Sequence, residues 1–257
     1  MASVEIVVHP TCATSYEVLK RLAAKGLLDR VEVTVADSPA MIRRGVWSVP
    51  WILVNGVPAA TDPVTAEEVE SIIRGASVSP PGDVAGAFMD AVLHSSYALS
   101  VVALWGSLEP AIDQGLVSAA LRAPLTGANV AGALSLLREQ ASELYSKWED
   151  AMARALGVSF VRDAWWASGG SLEPEALESI ASPTAIGAWL LARASVGRVG
   201  LPPNPLGRGR RAAERISEFV VRGARGLLNR VRAEQGKILG DGDYWRLLEA
   251  VAGRPIK

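Results

Sequence analysis

The stretch VEIVVHPTCATSYEVLKRLAAKG, residues 4–26, decides how the chain begins. Val4 to Val8 is a short β-rich run, and His9-Pro10 ends it because proline cannot continue a sheet ladder. From Tyr16 to Lys25 the period changes. Val18, Leu19, Leu22 and Ala23 fall on one helical face, Lys20, Arg21 and Lys25 on the other, and Gly26 suits the position after a helix end. Cys12 therefore stands where the first strand has finished and the first helix starts.

Working outward, Val31 to Val35 alternates as a second strand, and Pro39 to Arg44 is long enough only for a short helix. Trp51 to Val54 is a third strand, and Asn55-Gly56 predicts a tight hairpin whose two central residues take positive φ. The returning strand holds Pro58 and so belongs at a sheet edge. Thr65-Ala66-Glu67-Glu68 is a capping box opening a helix that buries Val69, Ile72 and Ile73 and ends at Gly75. The order β-α-β-(α)-β-β-α is complete within about 75 residues.

With Thr11-Cys12-Ala13-Thr14-Ser15 after the first strand and Ser48-Val49-Pro50 before the third, residues 4–75 resemble the thioredoxin/glutaredoxin-like superfamily in its monothiol C-x-x-S form. In that superfamily a reactive cysteine opens the first long helix and a cis-proline before the third strand faces it. The resemblance implies that Cys12 is the nucleophile, that Ser15 occupies the resolving-cysteine position, and that Thr11, Thr14, Val49 and Pro50 contact the substrate. The activity implied is that of a thiol–disulfide oxidoreductase or thiol transferase. It needs no cofactor and no metal, with glutathione or another small thiol as co-substrate and a small thiol or a protein thiol/disulfide as partner.

Arsenate-reductase-like members also carry C-x-x-S but place a basic residue after the serine, where this chain has Tyr16. Cluster-holding monothiol glutaredoxins carry C-G-F-S, where this chain has Cys-Ala-Thr-Ser. A helix start lowers a thiol pKa through unpaired N–H groups and the helix dipole, so the position favours the Cys12 thiolate. His9 assists if its ring turns toward Cys12.

The remaining sequence is helical. Ala76 to Asp83, rich in Ser, Pro and Gly, reads as a linker. It divides the chain into an α/β domain (1–76), a linker (77–83) and an all-α helical domain (84–257). Helices are expected over Asp83–Gly106, Glu109–Ala123, Glu173–Val196 with a disturbance at Pro183, and Arg211–Arg232 after a break at Pro202–Gly207, with a short one over Asp243–Ala252. Leu134, Leu137, Ala141, Leu144, Trp148, Ala151 and Ala155 form a heptad-like seam, which suits packing inside a bundle or across a homodimer; intramolecular packing is preferred because the seam is short and alanine-rich. Such a two-domain outline is similar to that of glutathione transferases, which implies a substrate cleft covered by the helical domain. The alternative is a redox-inactive binding or assembly protein whose helical domain holds a partner.

Composition narrows the classes further. The formal net charge is −1 over 257 residues, with no global pull toward nucleic acid or membrane. Residues 198–257 nevertheless carry 13 basic and 6 acidic side chains, and Arg211, Arg215, Arg222, Arg225 and Arg232 share one helix face. A solvated face is the preferred reading, and phosphates or an acidic partner the alternative. Asp90, His94 and Tyr97 also share a face, read as a polar cluster in preference to a metal site. A single cysteine excludes an internal disulfide. With no leader-like opening and no membrane-length apolar run, the expected location is cytoplasmic. The excess of Arg over Lys and the scarcity of Asn, Gln and Cys lean toward a thermophilic source.

Overall fold

The computed structural model describes residues 2–36, 41, 44–197 and 205–252. β1 (Val4–Val8) lies inside a four-stranded mixed sheet of order β2-β1-β3-β4. It runs parallel to β2 (Glu32–Val35), with Ile6 opposite Val33, and antiparallel to β3 (Trp51–Val54), with Ile6 opposite Ile52. β3 turns into β4 (Val57–Thr61) through Asn55 and Gly56, whose φ values of 52° and 77° are those the hairpin signal demands. Pro58 lies on edge strand β4 opposite Leu53, where the pairing register shifts.

α1 (Ala13–Ala24) links the parallel strands, burying Val18, Leu19 and Leu22. Ala23 is exposed, and the buried stripe instead reaches back to Ser15 and Tyr16. α2 (Ala66–Arg74) is capped by Thr65, whose hydroxyl accepts the Glu68 N–H at 3.1 Å, and it ends at Gly75 with φ 69°. The Glu68 carboxylate is drawn to Arg122. The short helix expected over Pro39–Arg44 lies largely outside the described residues.

The chain forms two compact units, each assembled from separated stretches of sequence. One comprises residues 1–95, 112–137 and 237–257; the other comprises 96–111 and 138–236. Four helices from beyond the linker therefore belong with the sheet: α3 (Val84–Leu93), α5 (Gln114–Ala120), α6 (Ala123–Thr126) and α11 (Gly242–Ala252). The reason is burial. The sheet has two apolar faces to cover. α5 packs on β4, where the Ser118 hydroxyl donates to the Pro58 carbonyl at 2.9 Å. α11 delivers Tyr244 and Leu248, both fully buried, into a cluster with Ile6, Val8, Leu19 and Ile52.

The second unit is helical. It contains α4 (Ser96–Trp105), α7 (Val130–Ala167) from Arg138 onward, α8 (Pro174–Ile180), α9 (Pro183–Gly197), and α10 (Pro205–Gly240) up to Gly236. The helical run expected over Glu173–Val196 is broken at Ala181-Ser182, directly before Pro183, which opens α9 because proline lacks only an N–H that a first turn leaves unpaired. The helix expected over Asp83–Gly106 is interrupted at His94-Ser95, and that over Glu109–Ala123 is reduced to a 3-10 turn (Glu109–Ala111) followed by α5. The seam of α7 drifts. Leu137, Ala141 and Leu144 are buried, but Met152, Leu156 and Phe160 then replace Ala151 and Ala155, as 3.6 residues per turn requires over several heptads. On α10, Arg211, Arg222 and Arg225 are exposed, while Arg215 pairs with Asp150 at 2.7 Å and Arg232 with Glu173 at 2.8 Å. Among the described residues no single helix is long and apolar enough to cross a membrane.

Candidate functional site

Cys12 is the N-cap of α1, in extended conformation (φ −78°, ψ 123°), with its backbone N–H bonded to the His9 carbonyl at 3.1 Å. Its sulfur accepts the Ser15 N–H at 3.4 Å and donates to the Val49 carbonyl at 3.3 Å. The Val49–Pro50 bond is cis, and Pro50 is buried. Ser15 is fully buried, and its hydroxyl accepts the His9 N–H at 3.3 Å. Cys12, Ser15 and Val49 thus meet directly.

The other expected site residues are placed differently. Thr14 turns its hydroxyl to the buried Asp62, at 3.0 Å from Oδ1. Thr11 is engaged with His9: its N–H and hydroxyl lie 3.2 and 3.1 Å from His9 Nδ1. The Val49 carbonyl accepts the Cys12 thiol with one of its two lone pairs. The loop before Pro50 is fixed on both sides. The Ser48 hydroxyl donates to the His94 carbonyl at 3.3 Å, that of Ser95 donates to the Trp47 carbonyl, and Trp47 Nε1 donates to Asp113 at 3.0 Å. Pro50 in turn offers its carbonyl to the Thr61 hydroxyl at 3.3 Å.

Electrostatics reverse the simple helix-start expectation. Burial pushes the Cys12 thiol up, and the Asp62 charge adds to this. Bonds from the Ser15 hydroxyl and from the Ser15 and Thr14 N–H groups act the other way but do not prevail. The thiol is a protonated donor at neutral pH, which fits its bond to Val49.

Two groups that periodicity did not single out complete the surroundings. Asp62 precedes a second cis bond, Asp62–Pro63. Tyr244 of α11 is fully buried and donates its hydroxyl to the Pro10 carbonyl at 3.0 Å. Its phenol is pushed up by burial and then by its closeness to Cys12. The Asp241 carboxylate, which caps α11 by accepting the Tyr244 N–H at 2.9 Å, also accepts the Tyr16 hydroxyl and pairs with Lys20, both at 2.8 Å. These bonds hold its carboxyl well below the usual range, with Lys20 the largest cause. A proline after an aspartate and an Asp-Gly-Asp run are visible as local signals; their partners are not.

An open cleft of about 620 Å³ lies in the same unit, walled by Thr61 and Pro63, by Glu68, by Asp83 and Asp90 of the α3 region, and by Arg122. The Arg122 guanidinium is engaged with Glu68, the Pro63 carbonyl (3.2 Å) and the Ala120 carbonyl (3.0 Å). His94 bonds its Nδ1 to the Asp90 carbonyl at 2.8 Å, and the described residues contain no cluster of three side chains suited to a metal. Compared with known proteins, the chain matches no family model, no curated protein and no solved structure.

Proposed function

We propose that the sheet unit is a thioredoxin-like domain that carries out monothiol thiol–disulfide exchange at Cys12. One observation carries the reading: the sulfur lies between the first N–H groups of α1 and the carbonyl of Val49, beside a cis-proline. The order of elements, the parallel crossover from β1 to β2 and the hairpin from β3 to β4 support the same reading.

The chemistry follows from one thiol. Cys12 gives its proton to solvent base, leaving its bond to Val49. The thiolate, held by the Ser15 and Thr14 N–H groups, attacks one sulfur of a disulfide R–S–S–R′. A Cys12–S–S–R bond forms and R′–S⁻ leaves. Ser15 has no sulfur, so a second, external thiol R″–SH, as its thiolate, must attack the mixed disulfide. That step releases R–S–S–R″ and restores Cys12. The protein gains and loses no electrons over the cycle. Because burial holds the thiol protonated, exchange accelerates as pH rises, and the thiolate formed is strongly nucleophilic since nucleophilicity grows with thiol pKa.

The raised thiol also favours a second reading, in which the domain binds a partner and Cys12 does no chemistry. Alkylation of Cys12 against pH, with a small disulfide as second reagent, separates them. The exchange reading expects an inflection above the ordinary thiol value near 8.5 together with a mixed disulfide in the alkaline range. A thiol that alkylates but never forms a mixed disulfide at any pH leaves only the binding reading.

A further inference from the structure

The C-terminal helix reaches the cysteine loop from the far end of the chain. Tyr244 bonds the carbonyl of Pro10, two residues before Cys12, and its ring meets Tyr16 edge-on at 4.8 Å. Beside it, Asp241 gathers the Tyr16 hydroxyl and the Lys20 ammonium, and Lys237 pairs with Glu17 at 2.6 Å while lying 5.0 Å over the Tyr16 ring. Leu248 anchors the helix in the core. On the α1 side Tyr16 and Lys20 meet Asp241, Glu17 meets Lys237 of α10, and Leu19 shares the core with Leu248, so the α10–α11 corner meets the end of α1 that presents the sulfur. No other element reaches Pro10 by a side-chain hydrogen bond among the described residues.

We infer that Tyr244 is a positioning residue for the thiol site, fixing the Pro10–Cys12 loop. The inference rests on the reading of Cys12 as the exchanging thiol. Pro10 itself has no N–H to donate, so the bond to its carbonyl adds to the Cys12–His9 and His9–Ser15 bonds that hold the loop from within. While the loop is held, the thiol stays on Val49. Without the bond from Tyr244 the loop loses that anchor, and the thiol leaves Val49 more often. The charged groups facing this region are Asp62 from the β4–α2 corner, Glu17 and Lys20 from α1, Lys237 from α10, and Asp241 and Asp243 at the start of α11.

The test uses full-length protein, Tyr244→Phe and Asp241→Asn, read by iodoacetamide alkylation of Cys12 over a pH series and by hydrogen exchange of amides 242–252. Tyr244→Phe keeps the ring and removes the bond to Pro10. It is expected to raise the alkylation rate about tenfold at fixed pH, in step with faster exchange over 242–252, since one buried hydrogen bond is lost. Asp241→Asn retains a capping side chain and loses the charge, and it is expected to act in the same direction. If 242–252 exchanges faster while Cys12 alkylates at the wild-type rate, or if neither readout moves, the inference is overturned. If alkylation accelerates as expected but no variant forms a mixed disulfide with 2-hydroxyethyl disulfide, the exchange reading fails and the positioning role stands.

Discussion

Replacing Ser15 by alanine probes the site at its most informative atom. Ser15 is fully buried, and its hydroxyl accepts the His9 N–H at 3.3 Å while lowering the Cys12 pKa as a bonding partner. Removing it takes away the acceptor 3.3 Å from the His9 N–H. His9 is exposed, so water replaces that acceptor and the expected loss is the net worth of one hydrogen bond, about 0.5–1.5 kcal/mol. The thiol responds with a definite sign. Only bonds from the Ser15 hydroxyl and from N–H groups oppose burial and Asp62, so deleting the hydroxyl moves the thiol further up and slows alkylation at any pH below the inflection. The paired assay is urea unfolding together with an alkylation–pH profile of the only cysteine. A variant as stable as wild type, with an unmoved or lowered inflection, would refute the assignment of that hydroxyl to both His9 and Cys12.

Three further expectations follow from the same geometry. Asp62→Asn keeps an oxygen for the Thr14 hydroxyl and removes the charge beside the thiol, so the alkylation inflection should move to lower pH; no movement would show that burial alone sets it. Because the folded thiol is held above its unfolded value, its contribution to stability is complete below about pH 8.5 and is lost as pH rises through the folded value. Unfolding measured from pH 7 to 10 should therefore show a decline that is shallower in Cys12→Ala. Leu248→Ala should cost about 2–5 kcal/mol, read as lost hydrogen-exchange protection in the sheet unit, because Leu248 is fully buried among Ile6, Leu19 and Tyr244.

What could be read from the sequence was local. Asn55-Gly56, Thr65 and Gly75 announce their own conformations, since positive φ and side-chain capping are decided within four residues. Cys12 at the helix start and Pro50 before β3 are legible for the same reason, and these two residues carry most of the candidate site. The thiol's acidity was not legible. The N–H groups that favour the thiolate sit next to it in sequence, whereas the burial and the Asp62 charge that outweigh them come from residues tens of positions away. Tyr244 lay further out of reach: the pattern over 243–252 predicts a helix but contains nothing to say that its apolar face fills the core beside β2 and not a helical bundle. The grouping of the helices into compact units was equally out of reach. Ser, Pro and Gly mark a loop, but whether the helices beyond it return to the sheet depends on which apolar faces remain uncovered.

Exchange of Cys12 with disulfides is read out by intact-mass measurement of adducts, because a single cysteine makes one added thiol unambiguous. Native protein incubated with 2-hydroxyethyl disulfide from pH 7 to 9.5 should gain one adduct, faster at each higher pH, removable by a small thiol and absent in Cys12→Ser. An adduct that appears only in denaturant, and never on the native protein at any pH, would contradict the account and leave Cys12 as a packed structural residue.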